Sequence, residues 1–148
     1  MTTSTATCLA VRVGMGVFVV RDGKFLMGIR RGSHGADTWS VPGGHQEFGE
    51  SFEDTTRREV LEETGLQLGD VSMVGITNDY NPEWMTHHVT LWMLADCPVG
   101  EPQELEPKFV NQGWYDFTDL PDPLFFPWQQ LMRSSYYADL LRRIGHER

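Results

Sequence analysis

Residues 44–66 read GHQEFGESFEDTTRREVLEETGL. Seven carboxylates fall in this stretch: Glu47, Glu50, Glu53, Asp54, Glu59, Glu62 and Glu63. Ser51 suits a helix N-cap, Asp54 takes the reciprocal capping-box position, and Gly65 supplies a C-terminal stop. A helix over Phe52–Thr64 is therefore expected. On it Glu59 and Glu63 are four residues apart and share a face, with Glu62 beside them. Three like charges this close repel one another, which argues against a purely structural role. A hard divalent cation would offset the repulsion. Thr56 and Val60 should face the core, which leaves Glu59 and Glu63 at the edge of a partly shielded cleft. The plainer alternative is a solvated acidic face held by surface ion pairs.

Outward from this helix, the chain alternates strands and turns. Val11, Val13, Met15, Val17 and Val19 alternate with other residues, as in a strand over Val11–Arg21. Gly14 and Gly16 fall on its other face, either for a bulge or close packing, or to leave room for a planar ligand. Asp22-Gly23 is a hairpin turn, and Lys24–Arg30 is the returning strand. A loop over Gly32–Thr38 precedes a short extended piece at Trp39–Val41, which Pro42-Gly43-Gly44 bends sharply. After the helix, Val71–Tyr80 and His87–Asp96 read as strands around a loop. Residues 98–108 are Pro- and Glu-rich surface, and Phe109-Val110 with Gly113–Phe117 suggest one more strand. Leu124–Ile144 is expected to be largely helical, with Pro127 near its start and an interruption at Ser134–Tyr137. This order implies an α/β class: a mixed sheet covered by helices on both faces. Residues 1–10 read as a flexible polar arm and 11–148 as a single domain.

Bulk properties narrow the function. The 148 residues, 40% of them hydrophobic, suit one domain with a real core. No run approaches the roughly 20 apolar residues of a membrane span, and the start has no basic cluster ahead of an apolar stretch, which argues against a signal peptide. Cys8 and Cys97 form no metal pattern, so a reducing cytoplasm is the default expectation. The net charge of −9 disfavours polymeric nucleic acid as a partner. It leaves a small phosphorylated substrate open, because a bound metal reverses the local charge.

The carboxylate stretch resembles the Nudix box: a glycine, five residues, a glutamate, seven residues, then Arg-Glu-apolar-x-Glu-Glu-x-Gly-apolar. Gly44, Glu50, Arg58, Glu59, Val60, Glu62, Glu63, Gly65 and Leu66 fill every defined position. The segments VPGGHQEFGES, GVFVVRDGKFLMGIRRGSHG and GWYDFTDLP resemble the branch of Nudix hydrolases acting on free nucleotides, including the mutator-type enzymes. The resemblance implies an α/β/α sandwich, a homodimer, and hydrolysis of a nucleoside diphosphate linked to another group. Two departures stand out. Thr55-Thr56 replaces a common alanine pair, which should loosen packing slightly. Asn111-Gln112 stands where many relatives place a glutamate, so Glu104 or Glu106 would have to substitute if that group is needed.

The chemistry implied is Mg²⁺-dependent, with Mn²⁺ as an alternative. Glu59, Glu62 and Glu63 would be ligands, joined by the backbone carbonyl at Gly43 or Gly44. Either Glu59 or Glu62 would activate water, and Arg58 would orient a glutamate. Glu50 would support the loop or ligate a metal more remotely, and Glu47 is open between a metal role and plain solvation. Arg30 and Arg31 either reach substrate phosphate or are exposed hairpin charges. A flat apolar slot for the base is expected from Trp114, Phe117 and Phe125, with Thr86, His87 and Leu124 as further candidates, although each could be ordinary core. Trp39 is read as structural. His34 and His45 are either near phosphate or solvated. His87 and His88 point opposite ways, so at most one reaches the pocket. The leading expectation is a nucleoside triphosphate pyrophosphohydrolase giving a nucleoside monophosphate and pyrophosphate by metal-activated water. ADP-ribose or nucleotide-sugar hydrolysis is the alternative within the class. A nucleotide sensor without turnover is the alternative outside it, and the intact box argues against that. The aromatic segment Phe125–Tyr137 offers material for a dimer interface.

Overall fold

The computed structural model describes residues 9–32 and 35–145. Cys8, His34 and most of the arm expected at 1–10 lie outside the described residues. The elements are β1 (Val11–Arg21), β2 (Lys24–Arg30), β3 (Trp39–Ser40), β4 (Gly43–His45), α1 (Phe52–Thr64), β5 (Val71–Asn81), β6 (Thr86–Asp96), β7 (Phe109–Tyr115), α2 (Phe126–Met132) and α3 (Tyr136–Arg143). The main sheet path is β3-β2-β1-β6-β5, with β4 paired to β1 and β7 to β2. β1 and β6 run parallel, and the other pairs are antiparallel. The sheet is thus mixed, with helices on both faces, as the element order implied.

The period of two along β1 divides the core. Met15, Val17 and Val19 pack on one face with Val60 and Leu66 from and just after α1, and with Leu91, Met93 and Ala95 of β6. Phe18 points the other way, into a core with Phe25, Trp92, Trp128, Leu131 and Leu140. The terminal helix breaks in two, between Met132 and Tyr136, inside the interruption expected there. The aromatic segment considered for a dimer interface is largely taken up within the chain: Trp128 and Leu131 are buried, and Tyr137 meets Phe117 edge-on at 5.6 Å. Among the described residues, no helix is long and apolar enough to cross a membrane.

One departure from a regular sheet creates the cleft. β1 pairs with β2 only at Val20 and Arg21, beside the hairpin. At Gly14–Gly16 it pairs instead with β4. The two strands therefore separate, and the space between them opens toward α1. The two glycines serve different ends. A Cβ on Gly16 would lie 2.6 Å from the Trp92 ring, so that glycine admits an indole of the chain itself. A Cβ on Gly14 would meet nothing closer than 3.7 Å.

Candidate active site

α1 has the caps its sequence requires. Ser51 accepts from the Asp54 amide, the Asp54 side chain accepts from the Ser51 amide, and Gly65 adopts φ 77° at the C-cap. These ends fix the register of the helix. Glu59 and Glu63 consequently turn inward and are buried at 5% and 4% exposure, whereas Glu62 stays half-exposed on the rim.

The Pro42-Gly43-Gly44 segment, expected to bend sharply throughout, bends only at Pro42 and continues as β4 against β1, and this glycine turn meets the helix directly. The Gly43 amide donates to Glu63 Oε1 at 3.1 Å. A Cβ on Gly44 would overlap the Glu59 carboxylate, and one on Gly43 would overlap the Met15 carbonyl. Only glycine lets the backbone come this close to the acidic groups.

Arg58 ties the pieces together. Its Nε and Nη2 donate to the two oxygens of Glu50 at 2.6 and 3.0 Å. Nη2 also donates to the His45 carbonyl at 3.1 Å, and Nη1 reaches Glu62 at 3.3 Å and Glu59 at 3.5 Å. Glu50 accepts as well from the Glu47 amide and from the Thr55 hydroxyl at 2.9 and 2.8 Å. Arg58 first, then the Glu47 amide and the Thr55 hydroxyl, hold its carboxyl down at about 2, and the bond to Glu50 pushes the Arg58 pKa up. Thr55, read from sequence as a packing compromise, is in fact an anchor for Glu50.

The inward carboxylates have the opposite electrostatics. Burial pushes Glu59 up to about 7, against the pull of Arg58 and Lys108. Burial pushes Glu63 up to about 8, partly offset by the Gly43 amide. Glu59 Oε1 is buried without a hydrogen-bond partner. A buried carboxylate oxygen with no hydrogen bond, 3.5 Å from Arg58 Nη1 and next to a second buried carboxylate, fits a hard divalent cation, whose charge would hold both groups ionised. Among the described residues, no three side chains converge tightly enough to form a ready-made ligand cage.

These groups open into a cleft of about 530 Å³. Arg30, Gly43, Gly44, Arg58, Glu59, Glu62, Glu63 and Phe125 all line it. Arg30 lies over the Phe125 ring at 3.8 Å, and burial lowers its pKa while Glu63 opposes the shift. Thr86 lines a second pocket of about 340 Å³, and His88, Phe125 and Pro127 border both. Trp114 and Phe117 belong to neither wall. Trp114 packs against the α1-side core beneath the Arg21 guanidinium, 4.7 Å away. Phe117 stacks into the opposite core at 4.7 Å from Phe25. β7 pairs with β2 on the far side from β1, so Trp114 near its end and Phe117 just beyond it fill the two cores, whereas Phe109 at its start borders the cleft.

The substitutes considered for the glutamate missing near residue 111 also find their places. Glu104 accepts from the Asn111 amide at 2.7 Å, where Asn111 turns at φ 57°. Glu106 is near enough to raise the pKa of Glu63 and pairs with Lys108 at 3.5 Å. Gln112 donates to the Glu63 backbone carbonyl at 3.2 Å, bracing the end of α1.

Arg12, Thr90 and Lys108 were not legible beforehand, whereas His45 and one of the pair His87-His88 were already in view. His45 and His88 stack with their rings 7° from parallel and their Nε2 atoms 3.0 Å apart. His87 turns away to Asn78, as strand alternation requires. Arg12, Thr90 and Lys108 also line the cleft. The alternation on β6, which puts His88, Thr90 and Trp92 on one side, was the available signal.

Comparison with known proteins agrees with this construction. Residues 10–136 match the family model described as the NUDIX domain. The chain is 33% identical over 141 residues to an oxidized purine nucleoside triphosphate hydrolase of Danio rerio, covering 88% of this chain and 86% of that protein. The Mus musculus protein of the same description is 33% identical over 119 residues, covering 75% and 74%. Among solved structures, the MutT NUDIX hydrolase from Burkholderia pseudomallei superposes with a TM-score of 0.77 at 31% identity, covering 85% of this chain and 98% of that one. With its signature stretch folded into a capped helix facing a glycine turn, and with a family match over most of its length, the chain belongs to the Nudix hydrolase family.

Proposed function

We propose that the protein is a Mg²⁺-dependent nucleoside triphosphate pyrophosphohydrolase, with Mn²⁺ as an alternative ion, giving a nucleoside monophosphate and pyrophosphate. The observation that carries this reading is the pair of buried carboxylates, Glu63 and Glu59, whose Oε1 has no hydrogen bond and only the Arg58 ion pair, held at one end of a cleft that also carries cationic side chains. The names of the relatives, oxidized purine nucleoside triphosphate hydrolases, support the substrate class.

Glu59, Glu62 and Glu63, with the Gly43 carbonyl, would hold the ion. When bound, a divalent ion neutralises phosphate charge and orients the phosphoanhydride for hydrolysis. The rest falls to the chain. Arg30, Arg12 and Lys108 line the same cleft and offset the charge of a phosphate tail. Glu59 or Glu62, ionised beside the cation, would take the proton from the attacking water. Arg58 keeps Glu59 and Glu62 apart and the loop at Glu50 in place, so it acts by positioning. Water adds to phosphorus, the anhydride P–O bond breaks, and pyrophosphate leaves. Phe125 and the adjoining pocket provide the apolar end for the base.

The test is a screen of purine and pyrimidine nucleoside triphosphates, oxidised purine nucleotides, ADP-ribose and nucleotide sugars with Mg²⁺, with products separated by chromatography. A nucleoside monophosphate with pyrophosphate, abolished by chelator, is the expected result. Ribose phosphate released from ADP-ribose with triphosphates untouched would replace this reading by the diphosphate-linked alternative. Tight binding without turnover over hours would indicate a sensor.

A further inference from the structure

The second pocket contains an ionisable group that the hydrolytic chemistry does not use. Asp79 of β5 is 2% exposed and lines that pocket. Its Oδ2 accepts from the Thr90 hydroxyl at 2.6 Å and from the Thr77 hydroxyl at 3.0 Å. Thr77 in turn accepts from the Trp92 indole N–H at 3.0 Å. One oxygen is therefore fixed by a three-residue relay across β5 and β6. The other, Oδ1, is buried and has no hydrogen-bond partner. Burial raises the Asp79 pKa and the two threonines pull it back, the balance of an anion that lacks its last donor.

A buried acceptor left open is destabilising unless something completes it. The relay holds the carboxylate in one orientation in the pocket wall, so Oδ1 is a fixed acceptor just beneath the pocket surface. The surroundings narrow what can donate to it. Phe125, Phe126 and Trp84 line the same pocket, and Phe125 and His88 also border the carboxylate cleft. A flat ring bordered by aromatic side chains, with its phosphate tail toward Glu59 and Glu63, brings one polar edge to Asp79.

We propose that Asp79 is a specificity residue of this site: its Oδ1 accepts a hydrogen bond from a ring or exocyclic N–H of the nucleobase. The inference rests on the nucleotide reading above and extends it from the phosphate end to the base. It favours bases that present an N–H donor at this edge over the same bases with that donor methylated. A site built around a buried hydrogen-bonding group discriminates strongly against a ligand that leaves the group unpaired.

The test uses nucleoside monophosphates, which have no phosphoanhydride to cleave, so binding is read independently of turnover. Titration calorimetry of the full chain measures GMP, AMP, CMP and UMP. For the tightest binder it then measures the analogues methylated at each ring and exocyclic N–H in turn. In the wild type, methylating the contacted position should weaken binding at least about tenfold. In Asp79→Asn, whose Oδ can still accept from both threonines, and in Asp79→Leu, the same methylation should cost under about threefold, the signature of a coupled pair. Asp79→Asn should melt no lower than the wild type, because it removes an unsatisfied buried charge. Failure of the wild type to bind any of the four monophosphates, or equal methylation penalties in wild type and a folded Asp79→Asn, would overturn the assignment. If triphosphates are not hydrolysed while the Asp79-dependent penalty persists, the proposed activity fails and the base contact stands.

Discussion

The carboxylate end of the cleft comes almost entirely from one continuous stretch, residues 43–66, whereas the aromatic end draws on β5, β6 and the segment leading into α2. In the first, the bracing contacts fall mostly within that stretch: Ser51 with Asp54, Glu50 with Arg58, Arg58 with His45, Gly43 with Glu63, with Gln112 reaching in from outside it. In the second, Phe125 and Asp79 meet only because the sheet and the last helices have come together. The first end is thus a self-bracing unit with strongly perturbed carboxylates. The second is a tertiary assembly whose shape follows the packing of α2 on β5. The difference teaches that the chemistry and the selectivity of one site can be encoded at different ranges along a chain.

The sharpest way to break this comparison is at Glu63. Glu63→Gln keeps the shape and the Gly43 contact but removes the charge, and turnover should fall at least about 10²-fold with the melting temperature retained. Near-normal pyrophosphate release would remove the carboxylate end from the chemistry. At the other end, Phe125→Ala should weaken substrate binding about tenfold, the usual scale for losing one aromatic partner of a base. The effect should appear mainly in KM, and a dominant fall in kcat would show that the two ends are not separable.

A gentler probe is pH. Glu59 and Glu63 ionise at about 7 and about 8 in the fold, above the ordinary carboxylate value near 4.5. A raised folded pKa means that their contribution to stability is complete below that ordinary value and lost as pH rises through 7 and 8. In chelator, melting temperature should therefore fall between pH 5 and pH 8, and Glu63→Gln should flatten the slope. A wild-type slope that Glu63→Gln leaves unaltered would show that the burial of Glu63 has no electrostatic cost. The smallest effect is expected at the cap: Ser51→Ala should cost about 1 kcal/mol in denaturant titration and leave kcat nearly unchanged. A large loss of kcat would mean that the register of α1 depends on this one cap.

The contrast also explains what could be read from the chain. Caps, spacing and charge of α1 are local properties, so the positions of Glu59, Glu62 and Glu63 followed from the residues alone. The strands followed from alternation, and the break in the terminal helix from Ser134–Tyr137. Trp114 and Phe117 were candidates for the base slot because an aromatic near a loop looks the same whether it lines a cavity or fills a core. Which it does depends on β7 pairing outside β2, a contact between distant segments. Asp79 was passed over because a single aspartate in a strand carries no local sign of being buried. The meaning of Gly14 and Gly16 was left open for a related reason: only the Trp92 ring from β6 decides which of the two is filled.

The glycine turn carries a further consequence. At Gly43 and Gly44 the site is made of backbone, and backbone cannot be exchanged by substitution. A replacement there can do harm only by adding volume, since the space that Cβ would need is already held by the Met15 carbonyl and the Glu59 carboxylate. Tolerance at these two positions should accordingly be graded by size alone, with alanine and serine nearly alike. At 59 and 63 it should be graded by charge, with size secondary. Neighbouring parts of one small site thus answer to different rules of variation, and a survey of substitutions across residues 43–63 would display the boundary between them.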